Sequence, residues 1–255
     1  MKEKKVISIS GKGGVGKTTV AALLLKILLK NFNRTILVVD ADPATNLPDV
    51  LGVKIEKTVG MVVDKLKEKI SNGSLSAAIS RESLLEAWIY EVLVEAPQFD
   101  LLAMGRSEGE GCYCMVNHML TKIIDAISKN YDVTIMDMEA GLEHLSRRTD
   151  RDVDVMLIVA DLTKMGLMTA ARIKELAKEV HIGFKEMFII GNRIPAEYEE
   201  KFRVEAEKLG LKTAGTLPTD KNVIEFSVMG KSLLSLPEDS PALKAMEKIV
   251  KFLNL

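Results

Sequence analysis

The run Gly11-Lys12-Gly13-Gly14-Val15-Gly16-Lys17-Thr18-Thr19 limits what this chain can fold into more than any other stretch. It follows Val6-Ile7-Ser8-Ile9-Ser10, an apolar, β-branched run that predicts a short buried strand. It leads into Val20-Ala21-Ala22-Leu23-Leu24-Leu25-Lys26-Ile27-Leu28-Leu29, which predicts a helix. In that context the spacing G-x-x-x-x-G-K-[ST] specifies a phosphate cradle. Residues without a Cβ let the backbone of Gly13, Gly14, Val15 and Gly16 curl so that successive N–H groups face phosphate oxygens. The helix starting near Lys17 adds the free N–H groups of its first turn, through Thr19, and the positive end of its dipole. Lys17 supplies a point charge for the β- and γ-phosphates, and the Thr18 hydroxyl is placed to ligate Mg²⁺.

An ordinary phosphate loop asks for no charge after its first glycine, yet Lys12 stands there. The run K-G-G-x-G-K-T-T resembles the deviant Walker A loop of the ATPases that include the nitrogenase iron protein, the partition and septum-site ATPases and several metallocluster maturation factors. That resemblance implies ATP and ADP as ligands, a homodimer, and a Lys12 that reaches the nucleotide of the other subunit.

At 255 residues the chain is long enough for one large α/β domain and short for two, so residues 1–255 are expected to form a single domain. Acids and bases nearly cancel, for a formal net charge of −1, which gives no electrostatic case for nucleic acid or an anionic membrane. No apolar run approaches a membrane span, and Met1-Lys2-Glu3-Lys4-Lys5 runs straight toward the first strand without a visible signal peptide. Cytoplasm is the expected compartment.

Thr35-Ile36-Leu37-Val38-Val39-Asp40 predicts a second buried strand ending in Asp40-Ala41-Asp42-Pro43-Ala44-Thr45-Asn46. Acids at the C-terminal end of a parallel strand stand where open α/β sheets bind ligands. Two of them two residues apart suit a Mg²⁺ site with one left to orient water; an acid there equally suits the cap of the helix that follows. D-x-D-P-x-x-N also resembles switch I of the same ATPases, which implies Asp42 on the attacking water and Asp40 on the metal's water shell.

Residues 53–98 are an insertion with helical character at Val59 to Lys67 and Ser83 to Tyr90, broken at Asn72-Gly73. A partner-facing subregion and extra packing on the sheet edge both fit it. Phe99 to Gly105 predicts a third strand, and residues 105–118 a loop and helix start carrying Cys112-Tyr113-Cys114. Beyond it Met115, Met119, Ile123, Ile124 and Ile127 form an apolar helical stripe. Cys112 and Cys114 are the chain's two cysteines. By themselves they read as small buried residues, a redox-sensitive pair or two thiolates favoured by a helix N-terminus. A soft-metal tetrahedral site needs four thiolates, and the implied twofold dimer supplies the second pair. His118 reads as a surface residue, and Met104 as core filler.

Tyr131 to Asp137 predicts a fourth strand, and Asp137-Met138-Glu139-Ala140-Gly141 has the D-x-x-x-G form of Walker B joined to switch II. Asp137 would hold Mg²⁺ through water, and Gly141 would bring its N–H to a γ-phosphate. The loop, the late C-x-C and this run resemble the CooC-type ATPases that help insert nickel into carbon monoxide dehydrogenase. The resemblance implies Ni²⁺, or Zn²⁺ in its place, bound by Cys112 and Cys114 of both subunits, with carbon monoxide dehydrogenase as acceptor. Two other readings remain. A partition or positioning ATPase acting on DNA or membrane would want a basic surface. An iron–sulfur electron carrier would want widely separated cysteines.

Val153 to Ala160 and Glu186 to Gly191 predict two more buried strands around a helix from about Lys164 to Val180, and Leu211 to Asp220 the last strand and a loop. Strands alternating with helices predict a doubly wound, mostly parallel sheet covered on both faces. Gly191-Asn192-Arg193 resembles the family's base-contacting turn, and Leu217-Pro218-Thr219-Asp220 its loop over the base. The C-terminal helix carries Leu243, Met246, Ile249, Val250 and Leu253 on one stripe, and its mixed polar face favours packing on the sheet over a membrane.

Overall fold

A computed structural model describes residues 4–30, 34–73, 81–107, 114–139, 153–179 and 184–255. In chain order the elements are Lys5–Gly11 (β1), Lys17–Leu28 (α1), Ile36–Ala41 (β2), Leu47–Leu51 (α2), Val59–Ser71 (α3), Arg81–Val92 (α4), Leu93–Glu95 (β3), Asp100–Ala103 (β4) and Cys114–Ile127 (α5). Then come Val133–Met138 (β5), Val153–Ala160 (β6), Lys164–Glu179 (α6), Phe184–Asn192 (β7), Glu199–Lys208 (α7), Lys212–Leu217 (β8), Lys221–Val228 (α8) and Pro241–Phe252 (α9).

The strands lie in the order β3-β4-β2-β5-β1-β6-β7-β8. Every neighbouring pair is parallel except β3 with β4. The central strands read as near-continuous Val, Ile and Leu because helices cover both faces, so both side-chain directions are buried. One apolar layer packs α1, α2 and α9 against Ile7 and Ile9 of β1, and the other packs α3, α5, α6 and α7 against Val6, Met136 and Met156. The doubly wound sheet is therefore as the sequence periodicity predicts.

The terminal helix shows why local sequence sets its bounds. The Ser240 hydroxyl accepts the N–H of Leu243, and Pro241 at the first position needs no donor. Its predicted stripe of Leu243, Met246, Ile249, Val250 and Leu253 is buried. Residues 53–98 contain α3 and α4 and also β3, three residues paired antiparallel to β4. So short a strand leaves no period to read, and the antiparallel edge could not be separated from the helical segment before it.

Candidate functional site

The C-terminal ends of β1, β2, β5, β7 and β8 bring together Gly11, Asp40, Asp137, Asn192 and Pro218, at the sheet edge where open α/β folds bind ligands. The phosphate loop leaves β1 and enters α1 through Gly16, whose φ of 95° is left-handed. Gly16 has no side chain to cap α1, and among the described residues none bonds its first N–H groups, which are open to a ligand. A Cβ on Gly16 would stand 2.3 Å from the Asn192 amide nitrogen, so the loop also needs glycine for space. Lys12, Gly13 and Gly14 are exposed, Thr18 and Thr19 half-exposed, and Val15 and Lys17 buried. The carbonyl of Lys12 accepts the N–H of Val15 at 3.3 Å and lies 3.5 Å from Lys17 Nζ, which draws the loop into a ring around that ammonium.

Asp40 and Asp137 stand side by side at paired positions of β2 and β5, and both are buried. The Thr18 hydroxyl and the Lys17 ammonium lie close to Asp137 and favour its charge. Burial nevertheless raises the Asp137 carboxyl to about 6. Its Oδ1 has no hydrogen-bond partner among the described residues. A buried carboxylate oxygen left open beside a threonine hydroxyl and a phosphate loop fits a hydrated hard cation such as Mg²⁺. Burial also raises Asp40, to about 7, against the opposing pull of the Asp42 and Leu47 N–H groups, while the neighbouring Asp137 and Asp42 charges add to the rise.

Asp42 is half-buried; its Oδ1 accepts the N–H of Ala44 at 2.8 Å, which fixes the side chain at the mouth of the loop. Thr45 follows with a φ of 53°, and its N–H returns to the Asp42 carbonyl at 3.0 Å. Helix α2 has no cap from its own N-cap residue, Asn46, and Leu47 N–H goes instead to Asp40 Oδ2 at 2.9 Å.

Asn192 is buried, and its Nδ2 donates to the carbonyl of Val15 at 2.8 Å. Arg193 next to it has a φ of 59°, and Ile194 N–H bonds the carbonyl of Leu217, so this turn and the Pro218 loop are stitched together. Between them and α1 lies a cavity of about 390 Å³ walled by Asn192, Arg193, Pro218, Leu23, Val223 and Ile224. Sequence reasoning named the first three and missed the apolar walls, which come from α1 and α8. It also left Asp220 as a loop residue. Its carboxylate accepts the Asn222 and Ala242 N–H groups and the Ser240 hydroxyl, so it pins the starts of α8 and α9 beside this cavity. An acid one residue before a helix was the available signal.

Cys112 and Gly141 lie outside the described residues. Cys114 is the first residue of α5, whose stripe of Met119, Ile123, Ile124 and Ile127 is buried. His118 is exposed and Met104 is buried, as expected. Among the described residues no group of three or more His, Cys, Asp or Glu is gathered as a metal site. No helix of the described residues is long and apolar enough to cross a membrane.

Fold and site together define a nucleotide-binding protein built on a phosphate loop in a doubly wound α/β sheet. The chain belongs to the CobQ/CobB/MinD/ParA nucleotide binding domain family, whose pattern it matches over residues 6–233. It is similar to an uncharacterized ATP-binding protein of Methanocaldococcus jannaschii, 47% identical over 246 residues that cover 96% of this chain and 97% of that one. It is similar, at 28% identity over 92% of this chain and 90% of the other, to the carbon monoxide dehydrogenase accessory protein CooC of Rhodospirillum rubrum. Among solved structures the MinD cell division protein of Aquifex aeolicus shares the fold, with a TM-score of 0.69, 23% identity, and coverage of 98% of this chain and 96% of that one.

Proposed function

We propose that this chain is a homodimeric, Mg²⁺-dependent ATPase of the CooC type, in which ATP turnover governs a soft metal ion held between two copies and handed to carbon monoxide dehydrogenase. The observation that carries the ATPase half is Asp137, a buried carboxylate beside Thr18 and Lys17 with one oxygen left open among the described residues. The metal half draws on the C-x-C of the sequence, whose Cys114 opens α5, and on the similarity to the CooC accessory protein over nearly the whole chain.

In this reading the loop N–H groups of Gly13 to Thr19 and the Lys17 ammonium bind the β- and γ-phosphates. Thr18 and Asp137 would hold Mg²⁺, which neutralises charge developing on the transferred phosphoryl group. Asp42 orients the attacking water, and Lys12 reaches the nucleotide of the other copy. Asn192, Arg193 and Pro218 frame the adenine. Gly141 distinguishes ATP from ADP. Cys112 and Cys114 of both copies hold Ni²⁺, with Zn²⁺ as the competing occupant of a four-thiolate cage. Metal transfer follows when the two nucleotide states differ in metal affinity, since a ligand shifts only an equilibrium whose states it binds differently.

Equilibrium dialysis of nickel against the wild type and a Cys112→Ala, Cys114→Ala double variant, with ATP turnover recorded on the same samples, tests both halves. About one metal per two chains is expected in the wild type, from the four-ligand rule, and none in the variant. Undiminished nickel binding in the variant would overturn the metal half. Absence of hydrolysis with ATP and Mg²⁺ supplied would overturn the ATPase half. Pelleting with liposomes or a salt-dependent shift of duplex DNA would favour a positioning ATPase instead.

A further inference from the structure

Asp40 is fully buried at the end of β2, and three separate segments converge on it. Its Oδ1 accepts the N–H of Asp42 at 3.0 Å and its Oδ2 the N–H of Leu47 at 2.9 Å. Its own carbonyl accepts the N–H of Met104 at 2.8 Å, and the Met104 carbonyl in turn accepts the N–H of Gly60 at the start of α3. Both donors to the carboxylate are backbone groups, one at each end of the turn that presents Asp42. Asp137, at the paired position on β5, is the opposite case: one of its oxygens has no partner among the described residues.

We propose that Asp40 is a positioning residue and not a side chain that turns to the metal ion: by clamping the N–H groups of Asp42 and Leu47, it sets where the Asp42 carboxylate stands. The proposal rests on the reading of this chain as an ATPase with Asp42 orienting the water. To turn toward a metal ion the Asp40 carboxylate would abandon at least one buried backbone N–H, and native folds seldom leave such a group unpaired. Asp137 needs no such exchange, because its open oxygen is already available. The two neighbouring acids thus divide the work, Asp137 facing the cation and Asp40 holding the loop. Leu47 is itself buried, so the far end of the clamp is anchored in the core and cannot follow a moving carboxylate cheaply.

Asp40→Asn occupies the same space, keeps one acceptor and turns an N–H₂ toward the second backbone donor. Its kcat is expected to fall about 10²-fold, the scale of a misplaced reacting group, while the KM for ATP and the Mg²⁺ concentration for half-maximal rate stay at wild-type values. Asp137→Asn is the contrast, with the Mg²⁺ requirement raised. A Mg²⁺ requirement that rises in Asp40→Asn together with the loss of rate would overturn the proposal, as would an unchanged kcat. A second measurement needs neither the variant nor hydrolysis: amide hydrogen exchange at Asp42 and Leu47 in the wild type, without ligand and with Mg²⁺ and ADP. Protection of both amides in both conditions is expected. Loss of protection at either on adding Mg²⁺ and ADP would show the carboxylate leaving them, and would sink the proposal. A wild type without ATPase activity would sink the functional reading alone, because the amide measurement still reports on the clamp.

Discussion

The side-chain amide of Asn192 donates to the carbonyl of Val15 across 2.8 Å, joining the turn after β7 to the middle of the phosphate loop. Both residues are buried, so water cannot replace the bond. Asn192→Ala would leave the Val15 carbonyl unpaired, at a cost of about 1–3 kcal/mol. Because the same bond ties the cavity beside α1 to the phosphate loop, ATP affinity is expected to fall along with thermal stability. Calorimetric unfolding and nucleotide titration of the variant check both, and a fall in stability with unchanged affinity would confine Asn192 to a structural role.

The pairing of Asp40 with Asp137 sets a pH dependence for the nucleotide-free protein. Burial raises Asp40 from 3.8 to about 7 and Asp137 from 3.8 to about 6, so the folded chain keeps protons that the unfolded chain has released. Where the folded state binds more protons, stability falls as pH rises. The contribution of these two acids is therefore fully present below about pH 4, declines through the window up to about 7, and is gone above it. Asp137→Asn cannot release that proton, and denaturant titrations across this window are expected to show a shallower decline than the wild type. A slope identical in variant and wild type would contradict the assignment.

What the sequence made legible follows from the range of the interactions involved. The phosphate loop, its strand and its helix are specified within about two dozen neighbouring residues, by spacing and by the need for glycine, so they could be read directly. The central strands were readable because burial on both faces leaves mostly apolar residue types, as in Leu37, Val38 and Val39. The bond between Asn192 and Val15 joins positions 177 apart, and the clamp of Asp40 on Leu47 depends on the path of a loop. Neither leaves a local pattern. Asp220 lay in plain view, but that its carboxylate serves two helix starts needed the approach of α9, twenty residues further on.

Lys12 offers a separable test of the second copy. Among the described residues only its backbone carbonyl is used, by Val15 N–H and by Lys17 Nζ, and that carbonyl survives in Lys12→Ala. The side chain is exposed. Lys12→Ala is expected to bind ATP as the wild type does and to lose about 10³-fold in turnover, the scale of a cation supplied in trans to the transferred phosphoryl group. Equilibrium binding and single-turnover hydrolysis measured on the same preparation decide it. Unchanged hydrolysis would remove the role in the partner's site.

Gly16 carries two constraints that a pair of variants can separate. Its φ of 95° is one that side-chain-bearing residues adopt at a cost of about 1–2 kcal/mol, and an added Cβ would stand 2.3 Å from the Asn192 amide nitrogen. Gly16→Ala therefore meets both backbone strain and a collision with the residue that braces the loop. Deleting that amide in Gly16→Ala, Asn192→Ala removes the collision and leaves the strain. The double variant is accordingly expected to be more stable than the sum of the two single losses allows, since residues in contact do not add. ATP binding should stay weak in it, because the strained loop no longer holds its N–H groups toward the phosphates. Strict additivity in denaturant titration would mean that the loop yields to the Cβ without touching Asn192, and wild-type ATP affinity in Gly16→Ala would mean that the left-handed turn is not what shapes the cradle.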